Sequence, residues 1–346
     1  MQQFKYIIEG CAHYLFPSET HFGLFDLADG TEIDIPQQYP FSSEWGQGTI
    51  DNVMLRDILP APKSFRIAYL SIVEKKFYYA STPINTGEAS RIMQLFDDRT
   101  HSKLLVGMAP YGAVALWFGN KKKQILLGYM EGSLIDIKMN DFLPMQPDSS
   151  LVNYCEVYIC SDFRVKENLE NNGLPPHDLF DNYMKQFTYR YQPLFERWND
   201  DDEIWQKYND EEILPEFDYI EESLFDGTHD KLHDGGLMNY HQAGKPKKLA
   251  VAWHIKKSEY TAYFWFEDEE IRAVFDRFYG AHPDTKTDFM IRIDAEKNKY
   301  ELALYRYGLK EPQVISESAY QLLVFKNKFE YYRSENYDQP KGAWIW

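Results

Sequence analysis

The feature that most constrains this chain is an order of elements that occurs twice. Alternating apolar residues at 65–69 are followed by an aromatic run, a helical pattern and three further alternating segments, and the same order begins again at 249–253. Alternation predicts half-buried strands, and apolar residues three and four apart predict a helix. Two copies are too few for a solenoid, which needs at least three. The sequence therefore predicts a tandem of two similar domains.

Each copy predicts one helix packed across an antiparallel sheet. The first helix is predicted at 87–98 with Thr86 as its N-cap, and the second at 267–279, where it begins with four acidic residues. A helix stripe and one sheet face bury each other in such an arrangement. We therefore predict an α+β fold with two similar domains, at residues 1–145 and 151–346.

The second half contains an acidic addition at about residues 178–222. Its apolar residues have helical spacing, so the segment is predicted to be a helical insertion. From residue 196 to 226 there are thirteen acidic residues and two basic ones. A charge run usually forms a solvated face. Here large aromatic residues alternate with the acids, as in an interface with anchors and steering charges. Both interpretations stay open, and the predicted partner-binding residues are Trp198, Asp200, Asp201, Asp202, Glu203, Trp205, Tyr208, Asp210, Glu211 and Glu212.

Composition limits the classes of partner and compartment. Acidic residues outnumber basic ones by 54 to 37, which gives a net charge of −17. A field of that sign repels nucleic acid and anionic membranes and speeds association with basic partners, although it also serves solubility. The N-terminus lacks the basic start and apolar core of a signal peptide, and no stretch approaches ~20 apolar residues. We predict a cytoplasmic protein that binds no nucleic acid and does not insert into a membrane.

The three cysteines predict no disulfide framework. Their number is odd, and Cys155 and Cys160 lie five apart in a segment predicted to be a strand, where they would point to opposite faces. Cys11 stands alone near the N-terminus. A reducing compartment is therefore predicted.

The only cluster with metal-ligand character contains His229 and His233. On a helix, two histidines four apart share one face, as zinc ligands do. An Asp-Gly turn precedes them and Gly235-Gly236 follows, which disfavours a helix, and a polar loop is the alternative. The sequence contains no nucleophile elbow, phosphate-binding glycine loop or dinucleotide motif. We predict no catalytic residue, no metal, no cofactor and no enzymatic activity.

Several stretches of the first half form a recognisable pattern. The clearest is Leu104–Trp117, which is similar to a Val-Gly-hydrophobic-Ala-Pro-Gly-Gly signature ending in Trp. The others are His21–Phe25, Asp29–Ile33, Glu44–Gly46, Leu59–Lys63, Ile67–Ser71 and Lys76–Tyr78. On these stretches, residues 12–132 resemble the bacterial domain-of-unknown-function family 2931. The second half departs from the pattern, with Ile291–Asp294 in place of the Val-Gly-x-Ala-Pro step, and is interpreted as a diverged copy.

The resemblance implies a function that the residues alone do not. Family members encoded beside type VI secretion effectors are taken to be immunity proteins. By resemblance, this chain would bind a cognate secreted antibacterial toxin with a basic surface and occlude its active site. Two alternatives stay open, namely a carboxylate- or metal-dependent hydrolase and an adaptor or chaperone that carries an effector to the secretion machine.

Overall fold

The computed structural model divides the chain into two compact units. The first consists of residues 1–184 and 226–228, and the second of residues 185–225 and 229–346. No helix among the described residues is long and apolar enough to span a membrane. The residues that the structure describes are 2–35, 43–48, 57–96, 102–146, 149–207, 215–237, 239–256, 258–280, 285–294, 299–306, 308, 312–316, 320–326 and 330–333.

The first unit contains two sheets, a 3₁₀ turn at Pro110–Gly112 and several helices. Its strands are β1 (Gln3–Ala12), β2 (Ser18–Leu27), β3 (Glu32–Asp34), β4 (Asp57–Pro60), β5 (Pro62–Ser71), β6 (Lys76–Pro83), β7 (Ser102–Met108), β8 (Ala113–Gly119), β9 (Gln124–Glu131) and β10 (Ser133–Ile135). Its helices are α1 (Thr86–Met93), α2 (Met139–Phe142), α3 (Leu151–Ser161), α4 (Phe163–Asn172) and α5 (Leu179–Tyr183).

The two sheets of the first unit share one core. Strands run in the order β9-β8-β7-β1-β4 in one sheet and β10-β6-β5-β2-β3 in the other. β1 pairs parallel with β7, and the other pairs are antiparallel. Alternate residues of both sheets and the apolar stripe of α1 pack together, among them Tyr6, Phe25, Phe65, Tyr69, Ile92, Leu104 and Leu116.

The second unit is also built from two groups of paired strands. Its elements are β11 (Phe187–Asn199), β12 (Ile204–Lys207), β13 (Glu216–Leu224), β14 (His229–Leu232), α6 (Asp234–Leu237), β15 (His241–Ala243), β16 (Pro246–Ile255), β17 (Ser258–Phe266), α7 (Asp268–Gly280), β18 (Thr287–Asp294), β19 (Lys299–Tyr305), β20 (Gln313–Val314), β21 (Tyr320–Lys326) and β22 (Glu330–Arg333). The strand orders are β22-β21-β17-β16-β13-β14 and β12-β11-β18-β19-β20, and β15 also pairs with β11.

The predicted α+β class is wrong, because the structure is mostly β with large multi-strand sheets rather than a pair of helix-plus-sheet domains. The predicted antiparallel sheets are also mixed, since β1 runs parallel to β7 and β11 runs parallel to β18. A parallel pair needs a long crossover between its strands. Alternation identifies strands but not their partners. It could not reveal that β1 pairs with β7, which follows α1, or that β11 pairs with β18, which follows α7.

The individual elements agree better with the sequence than the fold class does. The second predicted helix, 267–279, is α7 within one residue at each end. The first is shorter than predicted and ends at Met93, and its N-cap is Asn85 rather than Thr86. The Asn85 Oδ1 accepts a hydrogen bond from the Glu88 N–H at 3.1 Å. An asparagine cap satisfies an N–H of the first turn more readily than threonine does.

The predicted helical insertion is wrong over most of its length. Among the described residues of 178–222 only Leu179–Tyr183 is helical, and the other elements there are β11, β12 and most of β13. β11 pairs over seven residues with β18, from Tyr189 opposite Thr287 to Phe195 opposite Ile293. The apolar residues of β11 fit both the helical and the strand periodicity. The segment forms a strand because it pairs with β18, about a hundred residues later in the sequence.

The segment with two cysteines is a helix rather than the predicted strand. Cys155 faces inward on α3 and is buried, whereas Cys160 is exposed. Burial raises the pKa of the Cys155 thiol to about 12. Cys11 is also buried, and burial likewise raises its pKa to about 12, despite N–H donors at Gly46 and Gln47 that lower it.

Selective thiol labelling follows from this difference. Maleimide reacts with the thiolate form of cysteine. We therefore expect Cys160 of the native protein at pH 7 to be labelled at least ~100-fold faster than the two buried thiols. Peptide mass spectrometry after timed labelling measures this ratio, and labelling in urea should reach all three cysteines. Comparable native rates at Cys11 and Cys160 would contradict the burial.

Candidate functional site

The predicted partner-binding residues that the structure describes lie on a β-hairpin of the second unit. β11 and β12 pair antiparallel, with Trp198 opposite Trp205 and Asn199 opposite Ile204. At the connecting turn, the Asn199 Oδ1 accepts the Asp201 N–H at 2.9 Å, which is an Asx turn. Glu203 adopts a positive φ of 53° and closes the turn. We call residues 196–207 the acidic hairpin.

Two tryptophans form the aromatic part of the acidic hairpin. The ring centroids of Trp198 and Trp205 are 5.4 Å apart at 67°, an edge-to-face pair. The Trp198 backbone N–H donates to the buried Asp294 Oδ2 at 2.8 Å, and the Lys299 Nζ lies 4.8 Å from the Trp198 ring centroid. Both tryptophans are partly buried. The hairpin is thus anchored to β18 and β19, and its aromatic pair still reaches the surface.

Four acidic side chains lie beside this aromatic pair. Asp200, Asp201, Asp202 and Glu203 are all exposed in the turn, and the neighbouring Ile204 is 48% exposed. Exposed charges of one sign next to aromatic side chains combine long-range steering with apolar contact area. The other predicted residues, Tyr208, Asp210, Glu211 and Glu212, lie outside the described residues.

His229 and His233 do not share a helix face. His229 begins β14 and lies opposite Ser223, and His233 follows the end of that strand. Four residues of extended chain span roughly 13 Å, so the two rings do not reach one ion. In the part of the chain that the structure describes, no three His, Cys, Asp or Glu residues are placed to hold a metal.

The Trp-Gly loop at residues 44–46, which carries part of the family resemblance, is a packing element. The Trp45 ring packs edge-to-face on Trp117 at 5.1 Å, and the Trp117 Nε1 donates to the Asp226 carbonyl at 2.9 Å. The Gln124 Nε2 donates to the carbonyls of both Gly46 and Gly227 at 2.6 Å. These residues specify how loops close over β7 and β8, and they place no reactive group at a surface.

A buried ion pair beneath this loop escaped the sequence analysis. Glu9 is 4% exposed, and its Oε2 lies 3.0 Å from the Lys103 Nζ. Gly48 leaves the room for this pair, since a Cβ there would lie 1.9 Å from the Glu9 Oε2. The charges sit on neighbouring strands but about a hundred residues apart in sequence. No local motif marks them.

The second unit carries a buried polar group of its own. The Tyr191 hydroxyl donates to the Glu222 Oε2 at 2.7 Å, and the Tyr189 hydroxyl donates to the Gly244 carbonyl at 2.7 Å. Burial next to the Glu222 charge raises the pKa of Tyr191 well above its usual value. Lys245, the residue after Gly244, has a fully buried side chain, and burial lowers its pKa to about 8. The Tyr191 hydroxyl thus stabilises a buried carboxylate.

Comparison with known proteins places the first unit in a family context. Residues 29–175 match the model of a family described as protein of unknown function (DUF2931). The match supports the resemblance derived from the sequence. It runs from the first Asp-Gly turn to the end of α4 and includes the Trp-Gly loop and Trp117, whereas the acidic hairpin lies outside it. No curated protein and no solved structure matches the chain.

Proposed function

We propose that the protein is an immunity protein that binds a cognate type VI secretion toxin and blocks its active site without catalysis. The family match to residues 29–175 supports the domain family to which the immunity role is linked by resemblance. The observation that carries the binding role is the acidic hairpin, where an aromatic pair adjoins four exposed carboxylates. The proposed partner is a toxin with a basic surface.

Each part of the hairpin has a distinct role in the proposed complex. The four carboxylates of the turn steer a basic partner, and their effect is screened over about 8–10 Å at physiological salt. Trp198 and Trp205 bring rigid apolar area that loses little side-chain freedom on binding. The hydrogen bond from the Trp198 backbone N–H to Asp294 fixes the strand that carries this area before the partner arrives. Occlusion then requires only that the partner's active site lies beneath the hairpin.

We also propose that the second unit is a diverged copy of the first, with two sheets and one parallel strand pair in each. The turns at Asp29-Gly30-Thr31 and Asp226-Gly227-Thr228 support this, because in each the Asp Oδ1 accepts the Thr N–H and the Thr Oγ1–H. Two tyrosines are also equivalent. The Tyr6 hydroxyl donates at 2.7 Å to the carbonyl two residues before β5, which begins at Pro62, and the Tyr189 hydroxyl donates at 2.7 Å to the carbonyl two residues before β16, which begins at Pro246. In this proposal the diverged second unit binds the partner through the acidic hairpin, which lies outside the family match.

Recovery of a toxin from the native host tests the function. The tagged protein is used to capture its partner, and the partner is then expressed alone and together with the protein in a sensitive strain. We expect growth arrest that co-expression of the protein relieves. A partner whose toxicity is unchanged by co-expression, or an enzymatic activity of the chain itself, would contradict an immunity role.

Charge-neutral variants of the hairpin test where the partner binds. Changing Asp200, Asp201 and Asp202 to Asn and Glu203 to Gln is expected to slow association about 10-fold at low salt and to flatten its salt dependence. Trp198→Ala and Trp205→Ala are expected to speed dissociation by at least ~10-fold each, as for interface anchors. Surface plasmon resonance with the recovered partner at several salt concentrations measures both rates.

A matched variant separates local steering from net charge. Glu131→Gln, Asp136→Asn, Asp141→Asn and Glu167→Gln remove the same number of exposed acids from the first unit. Thermal melting confirms that each variant is folded. If this control slows association as much as the hairpin variant does, the acidic hairpin is a solvated face and the interface lies elsewhere.

A further inference from the structure

His254, in the second unit, has a carboxylate beside each of its two ring nitrogens. Its Nδ1 lies 3.0 Å from the Asp218 Oδ1, and its Nε2 lies 3.1 Å from the Glu216 Oε2. Both are hydrogen-bond distances. An ionised carboxylate only accepts hydrogen bonds, and a neutral imidazole has a single N–H to donate. Both contacts are therefore hydrogen bonds only when the ring carries two protons and a positive charge.

A bulge near the start of β13 accompanies this arrangement. Glu216 lies opposite His254 of β16, and the register between the two strands shifts between Phe217 and Tyr219. Asp218 is the extra residue at this shift, and a bulge redirects the side chain of its extra residue. Directly opposite residues of two strands share one face of a sheet, which explains the contact with Glu216. The bulge supplies the second carboxylate.

A second histidine contacts the same bulge. The His233 Nδ1 lies 3.2 Å from the Asp218 carbonyl oxygen, and because a carbonyl only accepts, the ring nitrogen is the donor. His233, which the sequence marked as a possible metal ligand, thus forms a hydrogen bond to the backbone. Asp218 is therefore held to β16 through its carboxylate and to the residue after β14 through its carbonyl.

The other charged groups around His254 do not replace its proton. Glu259 lies opposite His254 on β17, so the strands on both sides of β16 place an acidic residue in its row. Lys256, in the turn from β16 to β17, is exposed. Lys231, on β14, has its Nζ 2.9 Å from the Glu221 Oε1. The environment of the ring is therefore mainly acidic and favours its charged form.

The proton on the ring exchanges with solvent, because the His254 side chain is 32% exposed. The hydrogen bond with Asp218, followed by the charges of Asp218 and Glu216, raises the pKa of His254 above its ordinary value of 6.5. Histidine is the side chain whose charge ordinarily changes near neutral pH. This contact thus responds to pH in the physiological range.

We propose that His254, Asp218 and Glu216 form a proton-operated clasp that fixes the first residues of β13 to β16. The clasp is closed when the ring carries two protons and donates to both carboxylates. It opens when the ring loses one proton, because a nitrogen lone pair then faces an ionised carboxylate. β13 is the strand that follows the acidic hairpin in the chain, so the clasp controls how firmly the chain is held where it re-enters this sheet.

The direction of the pH dependence follows from the raised pKa. The folded chain binds this proton more tightly than the unfolded chain does, so the bound proton stabilises the folded form. The contribution of the clasp is therefore fully present below about pH 6.5 and is lost as the pH rises through the raised pKa. The start of β13 should open more often in mildly alkaline solution than in mildly acidic solution.

A histidine NMR titration of the full chain, with the His254 signal assigned from His254→Gln, tests the contacts of the clasp. Asp218→Asn and Glu216→Gln should each lower the pH midpoint of the His254 signal, and Asp218→Asn should lower it more. Glu221→Gln is the matched control, because it removes a carboxylate of the same strand that pairs with Lys231. A midpoint that Asp218→Asn leaves unchanged, or lowers no more than Glu221→Gln does, would overturn the proposal.

Hydrogen exchange of peptides that cover residues 215–220, read by mass spectrometry, tests the opening itself. Protection is the intrinsic exchange rate divided by the measured one, which removes the direct effect of pH on exchange. The ratio of wild-type to His254→Gln protection should fall at least ~2-fold from pH 6 to pH 9, as for a partly exposed ion pair. Glu221→Gln should keep the pH dependence of the wild type. A ratio that is equal at both pH values would show that His254 only packs there, and it would refute the clasp.

Discussion

Replacing Gly46 by alanine is expected to destabilise the first unit severely. Gly46 has a φ of +79°, and an alanine Cβ there would lie 2.4 Å from the Cα of Gly227. Real Cβ atoms do not approach backbone so closely, so the Trp-Gly loop and the 226–228 turn would have to separate. The Gln124 side chain, which donates to both glycine carbonyls, would then lose its partners. We expect a loss of more than ~4 kcal/mol, in the range of severe packing defects.

Gly30→Ala isolates the backbone contribution to that loss. Gly30 has a similar φ of +89°, but nothing lies within 4 Å of an added Cβ. Its variant should lose only about 1–2 kcal/mol, the expected difference for a left-handed residue with a side chain. Urea denaturation of both variants, followed by tryptophan fluorescence, gives the two free energies of unfolding. If Gly46→Ala is no less stable than Gly30→Ala, the close approach of the two glycines is wrong.

The Trp-Gly loop also shows how far the sequence reaches. Its Trp45 and Gly46 are recognisable as part of a family pattern, and the family match includes them. The pattern could not show that Gly46 rests on Gly227, because that contact joins segments about 180 residues apart in sequence. Similarly, alternation predicted most strands. It could not predict the parallel pairs, because these join strands about a hundred residues apart in sequence.

The acidic hairpin illustrates the opposite case, in which residues are noticed but their structure is predicted wrongly. Trp198 and Trp205 are seven apart, which suits two turns of one helix face. In the structure they face each other across two strands, because the Asx turn at Asn199 reverses the chain between them. The tryptophans and the acids still come together, as the partner-binding prediction assumed, although on a different element. Their role in binding stays a prediction.

Lys245 could not be identified from the sequence at all. It lies in the run Gly244-Lys245-Pro246-Lys247-Lys248, which is typical of a solvated basic turn. The structure buries it completely, immediately before β16, with its Nζ 5.0 Å from the Phe187 ring centroid. Burial, opposed in part by Asp276 and Asp268 and assisted by Lys185 and Arg272, lowers its pKa from 10.5 to about 8.

The lowered pKa of Lys245 makes stability depend on pH in a definite direction. Between pH 8 and 10.5 the unfolded chain holds the lysine proton and the folded chain does not. Stability contributed by this group therefore rises with pH through that window and is lost below it. At pH 7 the folded protein carries a buried ammonium, and the accumulated loss is roughly 3 kcal/mol.

Lys245→Met is therefore expected to stabilise the protein at pH 7 by about 2–3 kcal/mol, because methionine keeps the packed chain and removes the buried charge. The gain should shrink to below ~1 kcal/mol at pH 10, where the folded wild type already has a neutral amine. Urea denaturation of both proteins at pH 7, 8.5 and 10 gives the difference, in which all other titrating groups cancel. Lys122→Met, at an exposed position between β8 and β9, should change stability by less than ~0.5 kcal/mol at every pH. A stabilisation that stays constant from pH 7 to pH 10 would mean that apolar packing, and not the buried charge, sets the difference at Lys245.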